Sequence, residues 1–170
     1  MTDFYRINGV IQSVNPPEIA FGYSYWSYMI PPFKPESVLI LGAGQGTIES
    51  LIKKIWGEDI SITSVDIKAP ATIIIDAREY TRICKDKYDY VVVDIGIGAD
   101  IPDFVFSEEF VKDLAKITGK LLAINVLTLD KPYNMEYYET YFNADFYKTC
   151  LYNKIQFYKD KNNKEFYLLT

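Results

Sequence analysis

Three glycines in five positions, Gly42-Ala43-Gly44-Gln45-Gly46, separate the apolar run Val38-Leu-Ile-Leu41 from a segment whose apolar residues, Ile48, Leu51, Ile52, Ile55 and Trp56, recur at helical spacing. A continuous apolar run is the mark of a strand buried on both faces. Glycines at its end let the chain turn tightly and let a ligand approach without meeting a Cβ atom. The helix that follows presents unpaired N–H donors at its start. Strand, glycine loop and helix in this order predict an α/β sheet with a small-molecule site at the carboxyl ends of its strands.

The rest of the chain continues the alternation. Ile60 to Ile67 predicts a second strand, Thr72 to Ile75 a third, Tyr90 to Val93 a fourth and Leu121 to Val126 a fifth. Gly57 is the expected stop of the first long helix. Ser107 is placed to cap a later one, with Glu108 and Glu109 in its first turn, Phe110, Val111, Leu114 and Ile117 on its buried face, and Gly119 as its stop. A last helix is expected over residues 133–142. Residues 146–158 and 165–169 read as a final antiparallel pair joined by the polar turn Asp160 to Lys164. At the other end, Asn8-Gly9 between two short apolar runs predicts a tight β-hairpin, and a short helix is expected between Phe21 and Ile30, stopped by Pro31-Pro32.

The expected architecture is therefore an open, mostly parallel α/β sheet with an antiparallel C-terminal hairpin. Residues 1–30 supply an N-terminal hairpin and short helix, residues 31–170 a nucleoside-binding domain, and the two form one compact unit. Only Lys68 to Thr72 separate the second and third strands. No crossover helix fits there, so an extended return loop is expected.

Composition narrows the chemistry. The chain has 170 residues, a net charge of −5 and no histidine, which removes Ser-His-Asp and Cys-His catalysis and most transition-metal sites. Acid–base work falls to carboxylates, tyrosines, lysines or thiols. The negative charge disfavours nucleic acid as a partner. No stretch approaches the ~20 uninterrupted apolar residues that span a bilayer, and no apolar leader is evident at the N-terminus. Two cysteines, Cys84 and Cys150, are too few for a disulfide framework, so a reducing, cytoplasmic setting is expected. Tyrosines and phenylalanines between Tyr133 and Tyr158 are read as core and sheet packing with room for a homo-oligomer face.

Three carboxylates fall at successive strand ends. Asp66, twenty-four residues after Gly42, is placed to accept the hydroxyls of a ribose. The spacing G-x-G-x-G, with Thr47 where a dinucleotide loop has its third glycine, is more usual where the ligand lacks a pyrophosphate, as in S-adenosylmethionine sites. Asp76 is placed to accept from an adenine amino group, with Ala77 small enough to let the ring lie close. Its competing role is the N-cap of the turn that follows. Asp94 ends the fourth strand and faces the same crevice, and Gly96 and Gly98 after it suit a mobile lid.

Taken in order, these elements resemble the polyamine aminopropyltransferases, the spermidine synthase family, from about Ile7 to Val126. Ile7-Asn-Gly-Val-Ile-Gln12 is similar to that family's hairpin, Tyr25 to Ile30 to its aromatic-and-methionine segment, and Asp76-Ala-Arg-Glu-Tyr80 to its Asp-Gly/Ala-Arg-x-Phe/Tyr element. Tyr88 to Asp94 resembles the strand carrying its catalytic aspartate, and Val105 to Asn125 its following helix and fifth strand.

The resemblance implies a Rossmann-like class I methyltransferase sheet and decarboxylated S-adenosylmethionine, or S-adenosylmethionine itself, as co-substrate, with no metal. It implies that Gly42, Gly44, Gln45 and Gly46 form the nucleoside loop, that Gln12 touches the nucleoside from the hairpin, and that Asp66, Asp76 and Ala77 hold the ribose and adenine. Asp94 becomes the catalytic carboxylate, with Tyr25 and Asp100 on the side of a small amine or other small acceptor. Two departures keep S-adenosylmethionine-dependent methyl transfer open: Gln45 stands where the family commonly has Asp, and the family's Asp-x-x-Asp becomes Asp94-Ile-Gly-Ile97. A non-catalytic relative acting as a binding module is the third reading.

Overall fold

The protein is described by a computed structural model covering residues 3–15, 24–68, 70–128 and 132–165. Strands β1 (Asp3–Ile7) and β2 (Val10–Asn15) pair antiparallel as a separate two-stranded sheet. Asn8 and Gly9 take positive φ angles of 50° and 80° at the turn, as the Asn-Gly pair predicts. Helix α1 is one turn, Tyr25–Tyr28, and the preceding part of the expected helix, Phe21 to Tyr23, lies outside the described residues.

The main sheet is built from β3 (Ser37–Leu41), β4 (Ser61–Asp66), β5 (Ile73–Ile74), β6 (Tyr88–Val93), β7 (Thr118–Leu127), β8 (Phe142–Cys150) and β9 (Asn153–Asp160). It has seven strands in the order β5-β4-β3-β6-β7-β9-β8. The pairs from β5 to β7 are parallel, and β9 runs antiparallel to both β7 and β8. Helices α2 (Thr47–Trp56), α3 (Ala77–Ile83), α4 (Glu108–Ile117) and α5 (Glu136–Tyr141) flank the main sheet, with a 3₁₀ turn at Asp103–Phe106 before α4. Among the described residues, no helix is long and apolar enough to cross a membrane.

Alternation along each strand divides the core into two layers. Val38, Ile40, Tyr90, Val92, Leu121 and Ala123 pack with Trp26, Met29, Leu51 and Ile52 on the α1–α2 face. Leu39, Leu41, Val91, Val93, Leu122 and Ile124 pack with Val111, Leu114 and Tyr138 on the α4–α5 face. Cover on both faces is why β3 and β6 read as unbroken apolar runs.

Among the described residues of the strand-two to strand-three junction, 67–68 and 70–72, there are bends and a turn and no helix. β5 pairs only with the last two residues of β4, Val65↔Ile73 and Asp66↔Ile74, so the chain has to return by barely one residue pair. Thr72 anchors the return: its N–H donates to Ser64 Oγ at 2.9 Å, and its hydroxyl shares a hydrogen bond with the same atom.

Two expectations need correction. Gly119 is not the stop of α4. The helix ends at Ile117, with the Thr118 hydroxyl donating to Leu114 O at 2.8 Å, and Gly119 already belongs to β7. A Cβ at Gly119 would come within 3.1 Å of the Tyr88 carbonyl oxygen, so close strand approach is the reason for that glycine. The C-terminal hairpin is also shifted. β8 and β9 turn at Leu151-Tyr152, with Leu151 at φ 51°, and not at Asp160 to Lys164. Most of the expected strand 165–169 lies outside the described residues. An apolar turn gives no polar signal, and the real polar turn after β9 supplied a misleading one.

Candidate active site

The glycine loop joins β3 to α2 and is held from three sides. Gly42 N–H donates to Val65 O of β4 at 2.9 Å, while Asp94 N–H beyond β6 donates to Leu41 O at 2.8 Å. Gly42 has φ +89°, and a Cβ there would stand 2.2 Å from the Asp94 carbonyl oxygen. No larger residue fits this junction. Gly46, at φ +81°, has open space around it, and no side chain caps the N-terminus of α2 that it begins.

The N-terminal hairpin latches onto this loop. The Thr47 hydroxyl donates to Val14 O and accepts from Val14 N–H, both at 3.1 Å, and meets Ser13 Oγ at 2.5 Å. Gln45 N–H in turn donates to Ser13 Oγ at 3.2 Å, and the Gln45 side chain is exposed. Gln12 reaches the opposite rim, donating from Nε2 to Gly98 O at 3.2 Å. The Gly96–Gly98 segment is thus tied to the hairpin, with Ile97 and Asp100 exchanging main-chain hydrogen bonds.

Asp66 stands at the end of β4 beside the loop. Its Oδ2 accepts from Gly44 N–H at 3.0 Å and its Oδ1 from Lys68 N–H at 3.1 Å. Asp76 serves as the N-cap of α3, accepting from Arg78 N–H at 2.8 Å, so its competing role is realised. The Arg78 guanidinium also grips both its carboxylate oxygens, at 3.0 and 2.8 Å, and holds its pKa below the ordinary aspartate value. Ala77, partly buried, packs on the α4–α5 core. A cavity of about 530 Å³ lies beside Asp76, between α3 and α4.

Asp94 sits in the contrasting environment. Tyr25 Oη donates to its Oδ2 at 3.0 Å and Asn125 Nδ2 to its Oδ1 at 2.8 Å. Burial dominates, and it pushes the Asp94 pKa up to about 6 against the lowering effect of both donors. The same burial, together with the Asp94 charge, raises Tyr25 well above the ordinary tyrosine value, so Tyr25 stays a proton donor in this pair.

Asp100 is exposed on the loop after β6, and among the described residues it is not a hydrogen-bond or ion-pair partner of Asp94. Its charge acts on Tyr133, whose hydroxyl is raised by burial first and by Asp100 and Asp103 after that. Tyr133 lines a second cavity, of about 620 Å³, at the end of β7, with Glu139, Lys154 and Tyr158 among its walls. Among the described residues, no cluster of acids and cysteines could hold a metal ion.

Two residues of the site were not singled out from the sequence as site residues. Asn125 interrupts the apolar run of β7, and Asn153 opens β9 and donates from Nδ2 to Asn125 Oδ1 at 2.9 Å. A polar residue inside a buried strand was the available signal for Asn125. Asn153 carried none, because the expected hairpin placed it in mid-strand rather than beside β7.

No protein-family model matches the sequence, and no curated protein sequence matches it significantly. Solved structures do match in fold. The 1,6-didemethyltoxoflavin-N1-methyltransferase of Burkholderia thailandensis superposes with a TM-score of 0.59 at 12% identity, over 87% of this chain and 78% of its own. Spermidine synthase from Thermotoga maritima gives 0.58 at 16% identity, over 92% of this chain and 65% of its own. A SAM-dependent methyltransferase from Archaeoglobus fulgidus gives 0.57 at 17%, over 80% and 91%. The chain therefore has the class I methyltransferase fold, and it spans just under two thirds of the length of the spermidine synthase.

Proposed function

We propose that this chain is a transferase using S-adenosylmethionine or its decarboxylated form, with aminopropyl transfer to a small amine as the leading chemistry. The observation that carries the reading is Asp94: a partly buried carboxylate whose desolvation pushes its pKa up to about 6, held between Tyr25 and Asn125 and joined through its main chain to the end of β3 before the glycine loop. Such a group is suited to take a proton from an acceptor ammonium.

The loop fits a nucleoside co-substrate. Gly46 leaves open space, α2 begins uncapped, and the Asp66 oxygens accept from main-chain N–H groups. A carboxylate accepts about four hydrogen bonds, so Asp66 keeps capacity for ribose hydroxyls. The co-substrate supplies an electrophilic carbon beside a sulfonium. The chain's own part is to orient it over the loop, to hold the acceptor near Asp94 and to receive the acceptor's proton on an Asp94 oxygen. The fold is shared with spermidine synthase and with methyltransferases at similar TM-scores, so the aminopropyl reading leans on the order of the motifs from Gln12 to Asp94.

One observation favours methyl transfer as the second reading. Gln45, exposed on the glycine loop, stands where the resembled family commonly has Asp, and Ile97 stands at the second acid of its Asp-x-x-Asp, so the acidic side chains expected around a diamine are fewer here. Calorimetric titration with decarboxylated and intact S-adenosylmethionine separates the readings. Preference for the decarboxylated ligand supports aminopropyl transfer, with Asp94→Asn expected to lower turnover by about 100-fold or more. Preference for the intact ligand makes methyl transfer the reading, and binding of neither by folded protein overturns both. The expected setting is cytoplasmic, with a small-molecule acceptor as partner.

A further inference from the structure

Asp94 sits at the head of a line of side chains that crosses the sheet from β6 through β7 to β9. Asn125 Nδ2 donates to Asp94 Oδ1 at 2.8 Å, and Asn153 Nδ2 donates to Asn125 Oδ1 at 2.9 Å. A carboxamide has one donating end and one accepting end. Whichever end of Asn125 faces β9 therefore decides which end faces Asp94. β7 and β9 are locked in register around this point, with Asn125 opposite Ile155 and Leu127 opposite Asn153, so the two amides cannot slide apart. The turn that leads into β9, next to Asn153, is also tied down: Tyr152 O accepts from both Thr128 N–H and the Thr128 hydroxyl, at 2.7 and 3.0 Å.

We propose that Asn153 is a positioning residue for Asp94: by donating to Asn125 Oδ1 it turns the Asn125 amide so that its N–H₂ faces the carboxylate and stabilises the ionised form. The assignment rests on Asp94 being the working carboxylate of the crevice. It adds that a residue on the antiparallel hairpin, remote in sequence, sets the hydrogen-bond polarity at that carboxylate. Charge-assisted hydrogen bonds are the stronger kind, and a chain of them polarises each member, so the outer amide strengthens the inner contact. With the relay reversed, a carbonyl oxygen would face the carboxylate, and the ionised form would lose its donor.

The other groups around Asp94 do not obscure the effect. Tyr25 from α1 is the titratable neighbour, and it stays protonated in the range where Asp94 titrates. Among the described residues, burial, Asn125 and Tyr25 account for the Asp94 shift, with no charged side chain contributing.

The test follows the carboxyl carbon of Asp94 by ¹³C NMR through a pH titration of aspartate-labelled protein, the resonance being assigned by its loss in Asp94→Asn. Two variants are compared with the unaltered chain, each first shown to be folded by thermal unfolding and amide dispersion. Asn153→Ala removes the outer donor. Asn153→Asp keeps the shape but offers only acceptors, which draws the Asn125 N–H₂ toward β9. The midpoint near 6 is expected to rise by about half a unit in Asn153→Ala, since one polarising donor is lost, and by about one unit or more in Asn153→Asp. An unmoved midpoint in both overturns the proposal. A rise in Asn153→Asp alone also overturns it, because the added charge would then explain the result without any positioning. No substrate enters the measurement. Failure of the transferase reading would leave the titration unchanged, and failure of the relay would leave ligand binding to be judged separately.

Discussion

Asp76 and Asp94 are the same residue type, each following a parallel strand of one sheet, β5 and β6, yet the protein treats them oppositely. Asp76 caps α3 and is gripped by the Arg78 guanidinium, which lowers its pKa. Asp94 is partly buried between Tyr25 and Asn125 with no cationic partner, and desolvation raises its pKa to about 6. The first environment rewards the charge and the second penalises it. A carboxylate placed where its charge is penalised accepts a proton more readily, which is why the chemistry is assigned to Asp94 and a structural role is evident at Asp76.

The strongest way to break this contrast is to disturb the junction on which Asp94 depends. Gly42→Ala puts a Cβ 2.2 Å from the Asp94 carbonyl oxygen at a φ of +89°. It is expected to destabilise the fold by about 3 kcal/mol or more in denaturant unfolding, and a loss under about 1 kcal/mol would mean the strand ends are not packed as described.

Charge removal should then act with opposite signs at the two acids. The folded-state pKa of Asp94 is raised, so the folded protein holds its proton when the unfolded chain has already lost it. Stability is therefore given up as pH rises from about 4 to about 6. Asp94→Asn carries no such loss and should be more stable than the unaltered protein by roughly 2 kcal/mol above pH 6, with the gap closing by pH 4. A variant that is less stable at pH 8 would contradict the burial argument.

A middle-sized effect tests how firmly the hairpin holds the loop. Thr47→Val keeps the side-chain shape but removes the hydroxyl that bonds Ser13 and both main-chain groups of Val14. The expected cost is about 1–3 kcal/mol in thermal or chemical unfolding, with faster hydrogen exchange across β1 and β2. Protection unchanged in that hairpin would mean the latch contributes nothing.

The smallest effect belongs to Asp76→Asn. Its folded pKa is lowered, so its stabilisation is present at neutral pH and is lost as pH falls through the carboxylate range. Because the pair is largely exposed, the expected loss is only about 0.5 kcal/mol at pH 7, and it should fade in high salt. A loss comparable in size to the Asp94→Asn gain would erase the distinction between the two sites.

Most of the architecture was legible one element at a time. The Asn8-Gly9 hairpin, the glycine loop, Gly57 ending α2 and Ser107 capping α4 all act through neighbours within a few residues, which is the range at which residue type dictates geometry. Misreadings came where contacts between distant segments decided the outcome. Gly119 looked like a helix stop but is small because Tyr88, in another strand, lies against it. The β8–β9 turn looked like sheet because Leu151 and Tyr152 are apolar, although both are exposed.

The site divides along the same line. Residue identity and spacing alone determined that carboxylates stand at successive strand ends beside a glycine loop, since alternating apolar strands and helices leave few other places for those acids. Only the tertiary structure decided which carboxylate is caged by an arginine and which is desolvated between Tyr25 and Asn125, and that Asn125 and Asn153 meet across two strands. Those outcomes depend on desolvation and on hydrogen bonds between segments far apart in the chain, and both exist only once the sheet has brought the segments together.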